Sequence, residues 1–350
     1  MKIASTIKNY EVIFNNELKL NEDYFIIDQK VFKLHKRVFS KIDKDKIYLV
    51  EANESEKSYR RCADHIENLI LLGLKRGHTV AAIGGGVIQD LSGFITSIMY
   101  RGLTWNFYPT TLLAQCDSCI GGKTSINLTG YKNTVGNFNP PDKIFLNEDF
   151  LKTLSKEEIQ SGLGEILKVM VIDDKERINK KDFISCVKSS KIKSNILKTA
   201  LEIKKEVIEK DEFDKNIRNI MNYGHTFGHA IEALTEFKIP HGIAVGLGIK
   251  IANETSLCLE LVEKEKMKDV SECVEAFLNC NKDYLEEFLK KFKVQKYLEY
   301  LSKDKKNIDN SNLTCILVDS DVSPFKTQIN NVKLGKILDK NINKWFGNGS

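Results

Sequence analysis

Three of the six histidines lie close together along the chain, between residues 225 and 241. His225 and His229 are four residues apart in NYGHTFGHAIE, so a helix would place both on one face. Three histidines, or two histidines with one glutamate, are ligand sets of catalytic zinc sites. The spacing is not HExxH, which argues against a metalloprotease. The segment therefore indicates a metal or anion site formed by any two or three of His225, His229 and His241, with Glu165 in GLGEILK as one candidate for a further ligand.

A glycine-rich turn is the second feature that could carry chemistry. Gly84, Gly85 and Gly86 follow the apolar run TVAAI and precede VIQDLSGFITSIMYRG, which has helical character. Consecutive glycines at a strand-to-helix turn let backbone N–H groups approach a phosphate at the positive end of the helix. Because the spacing is not GxGxxG, a tight turn without a ligand explains the pattern equally well. Asp90, one turn into the helix, could simply favour the helix dipole.

A second glycine-containing segment is basic. The GGKT at residues 121–124 resembles the end of a P-loop, but the first glycine of that motif would fall at Asp117, so the match fails. Lys123, Lys132 and Asn133 place two cations and an amide among glycines. This set suits an anionic or polyhydroxyl ligand, and a solvated loop is the alternative interpretation.

Short apolar runs alternate with helical stretches over the first 150 residues. The runs are YFIID, KIYLVE, TVAAIGGG, TWNFYP and KIFLN. Alternation of strands and helices predicts a parallel α/β sheet. From about residue 151 the chain becomes Lys- and Glu-rich with a helical period, beginning with LKTLSKEEIQSGLGEILKVMVI. We predict an α/β domain over residues 1–150 and a mainly helical domain over residues 151–350.

The composition is that of an ordinary globular protein, with 29% charged and 42% hydrophobic residues. A net charge of +5 over 350 residues is too weak for a nucleic-acid-binding surface and suits a small anionic substrate. No apolar run reaches the length of a membrane span, and MKIASTIKNYEVIF lacks the features of a signal peptide. The eight cysteines follow no disulfide pattern, and Cys116 and Cys119 of the one CxxC are interpreted as small buried residues. These features predict a reduced, cytoplasmic protein.

Taken in order, these segments resemble the 3-dehydroquinate synthases, a family of sugar-phosphate cyclases of the shikimate pathway. The matching segments are GGGVIQDLSGF, YRG, PTTLLAQCDSCIGGKTSIN, KNTVGNF, FLKTL, SGLGEILK, RNIMNYGHTFGHAIE, HGIAVGLG and DKK. The resemblance implies an α/β N-terminal Rossmann-like domain and a mainly α-helical C-terminal domain. It also implies a tightly held NAD, one divalent metal, usually zinc with cobalt as the alternative, and a homodimer.

The resemblance assigns the metal to Glu165, His225 and His241, and it assigns His229 to the substrate phosphate instead. The NAD-binding residues that it implies come from the early strands, the glycine turn, the basic segment and the FLKT segment. They are Asp28, Glu54, Lys57, Gly85, Gly86, Val87, Asp90, Thr110, Thr111, Lys123, Lys132, Phe150, Leu151, Lys152 and Thr153.

The implied reaction converts 3-deoxy-D-arabino-heptulosonate 7-phosphate into 3-dehydroquinate and phosphate. Its steps are oxidation at C5, phosphate elimination, reduction, ring opening and an intramolecular aldol closure. In this scheme Arg218, with Lys204, holds the carboxylate, and Arg101 reaches the phosphate in a neighbouring subunit. The full implied set of substrate-binding and catalytic residues is Arg101, Asp117, Lys123, Asn133, Lys168, Lys204, Arg218, Asn222, His229, Lys305 and Lys306.

Three alternatives stay open at this point. A related cyclase would use sedoheptulose 7-phosphate or glucose 6-phosphate, which lack the carboxylate, so Arg218 and Asn222 discriminate against it. Lys30, Gln89 and Gly164 depart from the family's common Asn, Gly and Ala and leave room for such a change. A metal-dependent alcohol dehydrogenase would share the two-domain organisation and release NADH. A nucleotide-binding module without activity would have no use for the many matching polar residues.

Overall fold

The computed structural model describes residues 1–15, 17–129, 131–302 and 311–347. The chain forms two compact units, which are described separately. The first comprises Met1–Ser155 and Lys204–Phe213, and the second comprises Lys156–Ile203 and Asp214–Ser350. Among the described residues, none of the helices combines the length and the apolar character that a membrane crossing requires.

The first unit is organised around a seven-stranded sheet with the strand order β1-β2-β9-β6-β5-β3-β4. The strands β1 and β2 pair antiparallel, and the other neighbours in this sheet pair parallel. A separate antiparallel hairpin consists of β7 and β8. The strands of this unit are β1 (Lys2–Ile3), β2 (Tyr10–Phe14), β3 (Tyr24–Asp28), β4 (Ile47–Val50), β5 (Thr79–Gly84), β6 (Thr104–Pro109), β7 (Lys123–Leu128), β8 (Tyr131–Phe138) and β9 (Lys143–Leu146).

The centre of this sheet has the sequence of a strand covered on both faces. In β5, Val80, Ala81, Ala82 and Ile83 are all fully buried, and the strand lies between β3 and β6. Parallel sheets bury both faces, and their strands are therefore continuous apolar runs rather than alternating ones. All five apolar runs identified in the sequence form strands of this sheet (β3, β4, β5, β6 and β9), so the predicted parallel α/β sheet is confirmed.

Three α-helices follow strands of the sheet: α1 (Gln29–Leu34), α2 (Tyr59–Leu71) and α3 (Gly86–Ile98). Asp28 caps α1 by accepting from the Lys30 N–H, and Ser58 caps α2 by accepting from the Arg61 N–H. The helix α3 differs, because its N-cap residue is Gly85 and no side chain caps it. Its first N–H groups are therefore left for another acceptor.

The second unit is mainly helical, as predicted. Its helices are α4 (Lys156–Ile172), α5 (Lys180–Ser189), α6 (Ser194–Lys210), α7 (His225–Leu234), α8 (His241–Cys258), α9 (Lys268–Cys280), α10 (Lys282–Lys291), α11 (Val294–Ser302) and α12 (Asn331–Phe346). The residues of α6 from Lys204 onward belong to the first unit. An antiparallel hairpin of β10 (Asn312–Val318) and β11 (Pro324–Asn330) was not predicted.

Glycines allow the buried helix α8 to contact α4 and α7 through backbone atoms. A Cβ on Gly164 of α4 would overlap the carbonyl oxygen of Gly242, and a Cβ on Gly228 of α7 would lie 2.9 Å from the carbonyl oxygen of Ala244. Such close approach is available only where side chains are missing. It brings the residue after Gly164, which is Glu165, to the N-terminus of α8, where His241 is the first helical residue.

Candidate active site

Glu165, His225 and His241 come together in the second unit. Glu165 Oε1 lies 3.1 Å from His241 Nε2 and 3.6 Å from His225 Nε2. His225 is the first residue of α7 and His241 the first of α8, while Glu165 lies inside α4. The three side chains therefore project from three helices toward one point, with Glu165 fully buried.

The charge state of this cluster suits a divalent cation. Burial alone would raise the pKa of Glu165, but Lys168, and then the two histidines, outweigh it and hold this pKa well below its usual range. Burial also lowers the pKa of His225 well below its ordinary value, so this ring is neutral at pH 7 with a lone pair available. A carboxylate and a neutral imidazole are the forms in which these residues bind zinc or cobalt.

His229 lies beside the cluster. Its ring centroid is 5.4 Å from that of His225 and 5.7 Å from that of His241, and the ring nitrogens of the three histidines approach within 4.8 Å of one another. The predicted helical spacing of His225 and His229 is confirmed by α7. Glu165 and the three histidines thus form a group of four possible metal ligands. The chemistry proposed below selects Glu165 rather than His229 as the third ligand.

The second nitrogen of each proposed ligand histidine has its own partner. His225 Nδ1 lies 3.3 Å from the carbonyl oxygen of Tyr223, and His241 Nδ1 lies 3.3 Å from Glu232 Oε2. When each ring is neutral, an Nδ1–H that donates to one of these acceptors leaves the lone pair on Nε2, where a metal can bind. The two carboxylates outweigh the burial of the His241 ring and raise its pKa to about 10, so a metal must displace a proton from it.

Two buried cations lie in the same unit. Lys168 Nζ is 2.6 Å from Glu165 Oε2, which directs the other oxygen, Oε1, to the histidines. Arg218 is 4% exposed and belongs to a short 3-10 helix, Ile217–Asn222. Asn222 ends this helix and donates from Nδ2 to the carbonyl oxygen of Asn219. Lys305 and Lys306 lie outside the described residues.

In the first unit, the glycine turn forms an open cradle at the end of β5. A Cβ on Gly86 would meet no atom within 4 Å, whereas one on Gly85 would approach the Thr111 side chain at 2.9 Å. The Thr110 N–H donates to the carbonyl oxygen of Gly84, which fixes the end of β6 beside the turn. An uncapped helix N-terminus at the carboxyl edge of a parallel sheet fits a nucleotide phosphate. Gly86 and Val87, the first two residues of α3, supply the backbone of this cradle.

A polar network lies next to α3 in the same unit. Lys57 is 4% exposed, and its Nζ is 2.7 Å from Asp90 Oδ2, 2.9 Å from Asn133 Oδ1 and 3.5 Å from Glu54 Oε1. Burial raises the pKa of Asp90, and the pairing with Lys57 opposes that rise. Four residues that the sequence assigned to NAD or substrate thus form one connected group.

Asp117 and Lys204 form an ion pair at a distorted turn of the first unit. Lys204 Nζ is 3.1 Å from Asp117 Oδ1 and also donates to the Asp117 carbonyl oxygen. Asp117 lies in a single turn of π-helix, Ala114–Ser118, a geometry often found at functional sites. Gln89 donates to the Ser118 carbonyl oxygen and accepts from its hydroxyl, so the side chain of Gln89 is directed to this turn.

The remaining predicted residues of the first unit occupy varied environments. Asp28 ends β3 as the cap of α1. Phe150 and Leu151 are buried, and Lys152 is exposed beside Asp149. Lys123 and Lys132 are exposed on β7 and β8. Arg101 is exposed after α3, and both it and Tyr100 have positive φ (69° and 52°).

Several residues of these networks were not identified from the sequence. Ser125 donates to Asp90 and Asn133, and Asn127 donates to Glu54 and accepts from the Asn133 N–H. Their sequence, TSINL, carries no signal beyond a polar residue at alternate positions of a strand. Glu232 could have been found, because it follows His225 by seven residues and therefore lies on the same helical face.

Solved structures of similar fold include enzymes that bind a nucleotide together with a divalent metal. The chain is similar in structure to 2-deoxy-scyllo-inosose synthase complexed with carbaglucose-6-phosphate, NAD+ and Co2+ (TM-score 0.83, 22% identity, covering 97% of this chain and 99% of that one). It is also similar to ValA, a 2-epi-5-epi-valiolone synthase from Streptomyces hygroscopicus subsp. jinggangensis 5008, with NAD+ and Zn2+ bound (TM-score 0.82, 21% identity, covering 97% and 99%). At these identities the likeness shows the sugar-phosphate cyclase fold.

Sequence similarity narrows the assignment to one family. Residues 47–161 match the profile described as 3-dehydroquinate synthase N-terminal, and residues 162–307 match the profile described as 3-dehydroquinate synthase C-terminal. A relative named 3-dehydroquinate synthase from Helicobacter pylori (strain P12) is 35% identical over 320 residues, which cover 89% of this chain and 90% of the relative. The chain therefore belongs to the 3-dehydroquinate synthase family.

Proposed function

We propose that the protein converts 3-deoxy-D-arabino-heptulosonate 7-phosphate into 3-dehydroquinate and inorganic phosphate, a carbon–oxygen lyase reaction. Membership of the family supports the reaction class. One observation connects this reaction to particular residues of the chain. In the second unit, one oxygen of the buried Glu165 faces the Nε2 atoms of His225 and His241.

The cofactors of this reaction are NAD and one divalent metal, zinc or cobalt. When bound, NAD would supply reversible hydride transfer for the oxidation and reduction at C5, and the metal would supply Lewis-acid polarisation of substrate oxygens. The NAD+ with Co2+ or Zn2+ in the two similar structures supports this pair. In this chain, Glu165, His225 and His241 would hold the metal, since each presents a deprotonated donor or one that binding deprotonates.

The role of His229 follows from its neighbours. If Glu165, His225 and His241 bind the metal, His229 on the same face of α7 is left to donate a hydrogen bond to the substrate phosphate. Fixing the phosphate orients it relative to the C6 proton that leaves during elimination. We assign Lys123, Asn222 and Arg101 to the same task, because each offers hydrogen-bond donors that suit a phosphate.

The substrate carboxylate calls for a different donor. Arg218 is buried and carries a planar guanidinium, which binds carboxylates through two parallel hydrogen bonds. We assign it to the carboxylate, and we assign Asp117, Asn133, Lys168 and Lys204 to the remaining polar groups of the substrate. Lys168 has a second task, since its charge keeps Glu165 ionised.

The first unit would hold NAD. The uncapped N-terminus of α3, with Gly85, Gly86 and Val87, suits the pyrophosphate, while Glu54, Lys57 and Asp90 offer polar atoms for the ribose and the nicotinamide side. Asp28, at the carboxyl end of β3, suits the adenosine ribose. The other proposed contacts are Thr110, Thr111, Lys123, Lys132, Phe150, Leu151, Lys152 and Thr153.

Phosphate release tests this function. Purified, metal-loaded protein is incubated with the heptulosonate phosphate, sedoheptulose 7-phosphate and glucose 6-phosphate in parallel reactions. We expect phosphate from the first substrate alone, with no NADH accumulating in solution. Phosphate from one of the other sugars would contradict the substrate assignment, and accumulation of NADH would indicate a dehydrogenase instead.

We also propose that the protein is a homodimer in which Arg101 serves the partner's site. Arg101 is exposed, and both it and the preceding Tyr100 have positive φ, a backbone conformation that persists mainly at functional sites. Mixing two inactive variants, Arg101→Ala and Glu165→Gln, tests this arrangement. Mixed dimers would contain one site with both native residues, so part of the activity should return; a mixture that stays inactive would refute it.

A cytoplasmic location is proposed on the state of the cysteines. All eight are free thiols, and most are buried. Burial raises the pKa of Cys119 to about 12, so this thiol of the CxxC is a poor nucleophile, which supports the predicted non-redox role. Unpaired buried cysteines are typical of a reducing compartment.

A further inference from the structure

His241 lies between two carboxylates that come from different helices. Its Nε2 is 3.1 Å from Glu165 Oε1, and its Nδ1 is 3.3 Å from Glu232 Oε2. A neutral imidazole carries one proton, so Nε2 can bind a cation only when that proton is on Nδ1. In that form Nδ1–H donates to Glu232, whose side chain is 14% exposed.

The helix α7 supplies Glu232 on the same face as His225 and His229, at helical positions i, i+4 and i+7. His241 begins α8, after the turn that follows α7. The contact between Glu232 and His241 therefore ties the last turn of α7 to the first turn of α8. His225 needs no such tie, because a backbone oxygen, that of Tyr223, accepts from its Nδ1.

Charge gives Glu232 a second effect. Both α7 and α8 begin at a histidine of the cluster, and helix N-termini carry partial positive charge. The charge of Glu165 is offset by Lys168, 2.6 Å away. Glu232 adds a second negative charge beside His241, which would help to balance a divalent cation and the two helix ends.

We propose that Glu232 is a positioning residue for the metal: it holds His241 with the proton on Nδ1 and the Nε2 lone pair directed at the cation. The proposal rests on the metal site of the proposed function. Glu232 touches neither substrate nor metal in this role, and it acts through His241. Partners of this kind typically change metal affinity by roughly 10–100-fold when they are removed.

The experiment measures metal binding by the full chain. Protein freed of metal by a chelator is titrated with Zn2+ in competition with a chromophoric chelator, and with Co2+ while its visible spectrum is recorded. Glu232→Ala should lose affinity by roughly 10–100-fold and alter the Co2+ spectrum, because His241 is no longer held in one tautomer and orientation. Glu232→Gln should lie between wild type and Glu232→Ala, since its amide oxygen still accepts from Nδ1–H.

Glu254→Ala is the matched control. It removes a carboxylate of α8 that pairs with Lys250, and it should leave both readouts unchanged. Thermal melting of the metal-free proteins identifies a variant that fails to fold, in which case Glu232→Gln carries the test.

The outcomes distinguish failure of the proposed role of Glu232 from failure of the proposed function. Wild-type affinity and spectrum in Glu232→Ala would overturn the proposal, and so would equal losses in Glu232→Ala and Glu232→Gln. Failure of wild-type protein to bind either metal would overturn the proposed function together with this role.

Discussion

Gly164 of α4 and Gly242 of α8 are in backbone contact, and neither position has room for a Cβ. A Cβ on Gly164 would overlap the carbonyl oxygen of Gly242, and one on Gly242 would overlap that of Ser161. Each glycine is followed or preceded directly by a proposed metal ligand, Glu165 after the first and His241 before the second. The distance between two helix backbones therefore sets the distance between two ligands.

Gly164→Ala should therefore disturb the metal site as well as the fold. Its methyl group can be accommodated only if α4 and α8 move apart, at a cost of about 1–3 kcal/mol. Moving the helices apart also separates Glu165 from His241, so Zn2+ affinity should fall. Thermal melting and a chelator-competition titration measure the two effects. Unchanged values for both would show that the helices tolerate the methyl group.

Gly86→Ala should leave the stability of the fold intact and weaken NAD binding. A Cβ at Gly86 meets no protein atom, and alanine is the better helix former, so stability should stay the same or rise slightly. The methyl group would nevertheless occupy the cradle proposed for the pyrophosphate, weakening NAD binding by about 1–3 kcal/mol. Calorimetric titration with NAD measures this loss. If Gly86→Ala binds NAD as wild type does, the phosphate lies elsewhere.

Substitutions should distinguish the proposed metal ligands of the second unit from the one proposed phosphate-binding residue. Glu165→Gln and His241→Ala should abolish turnover and remove most bound metal, because each deletes a donor of the cation. His229→Ala should retain its metal and lose activity through poorer phosphate handling. Metal analysis of dialysed protein, beside the phosphate-release assay, gives both readouts. Loss of metal from His229→Ala would exchange the roles of His229 and Glu165.

The sheet was predictable from the sequence because its central strands are buried on both faces. The hairpin β7–β8 was not, since β8 is exposed at nearly every residue and lacks the alternation of a half-buried strand. The β10–β11 hairpin was overlooked for another reason: NLTCILV is a buried strand, but it follows a long helical stretch that hides the change of period. Both hairpins depend on the pairing of two strands, which local sequence does not record.

Less of the site than of the sheet was predictable from the residues alone. The histidine spacing predicted a metal or anion site, whereas the assignment of Glu165 depended on the family resemblance, because a single acid among 48 acidic residues carries no signal of its own. Contacts such as Gln89 with Ser118 join segments that are 29 residues apart in the chain. Only the folded structure brings such pairs together.

A buried histidine in contact with Glu56 leads to a prediction on pH. His65 Nδ1 is 2.8 Å from the Tyr48 hydroxyl and its Nε2 is 3.0 Å from Glu56 Oε2. Burial lowers the pKa of His65 below 6.5, although Glu56 opposes the shift. Glu56 belongs to the short 3-10 helix Glu54–Lys57, which also carries two proposed NAD contacts.

Protonation of His65 should therefore destabilise the first unit in mild acid. The folded pKa lies below the unfolded one, so below about pH 6.5 the unfolded chain binds more protons and stability falls as the pH falls. Above that pH the ring is neutral in both states and has no effect. We expect the melting temperature of wild type to drop between about pH 7.5 and about pH 5.5, and the drop to be smaller in His65→Gln. Equal drops in the two proteins would show that other groups cause the acid sensitivity.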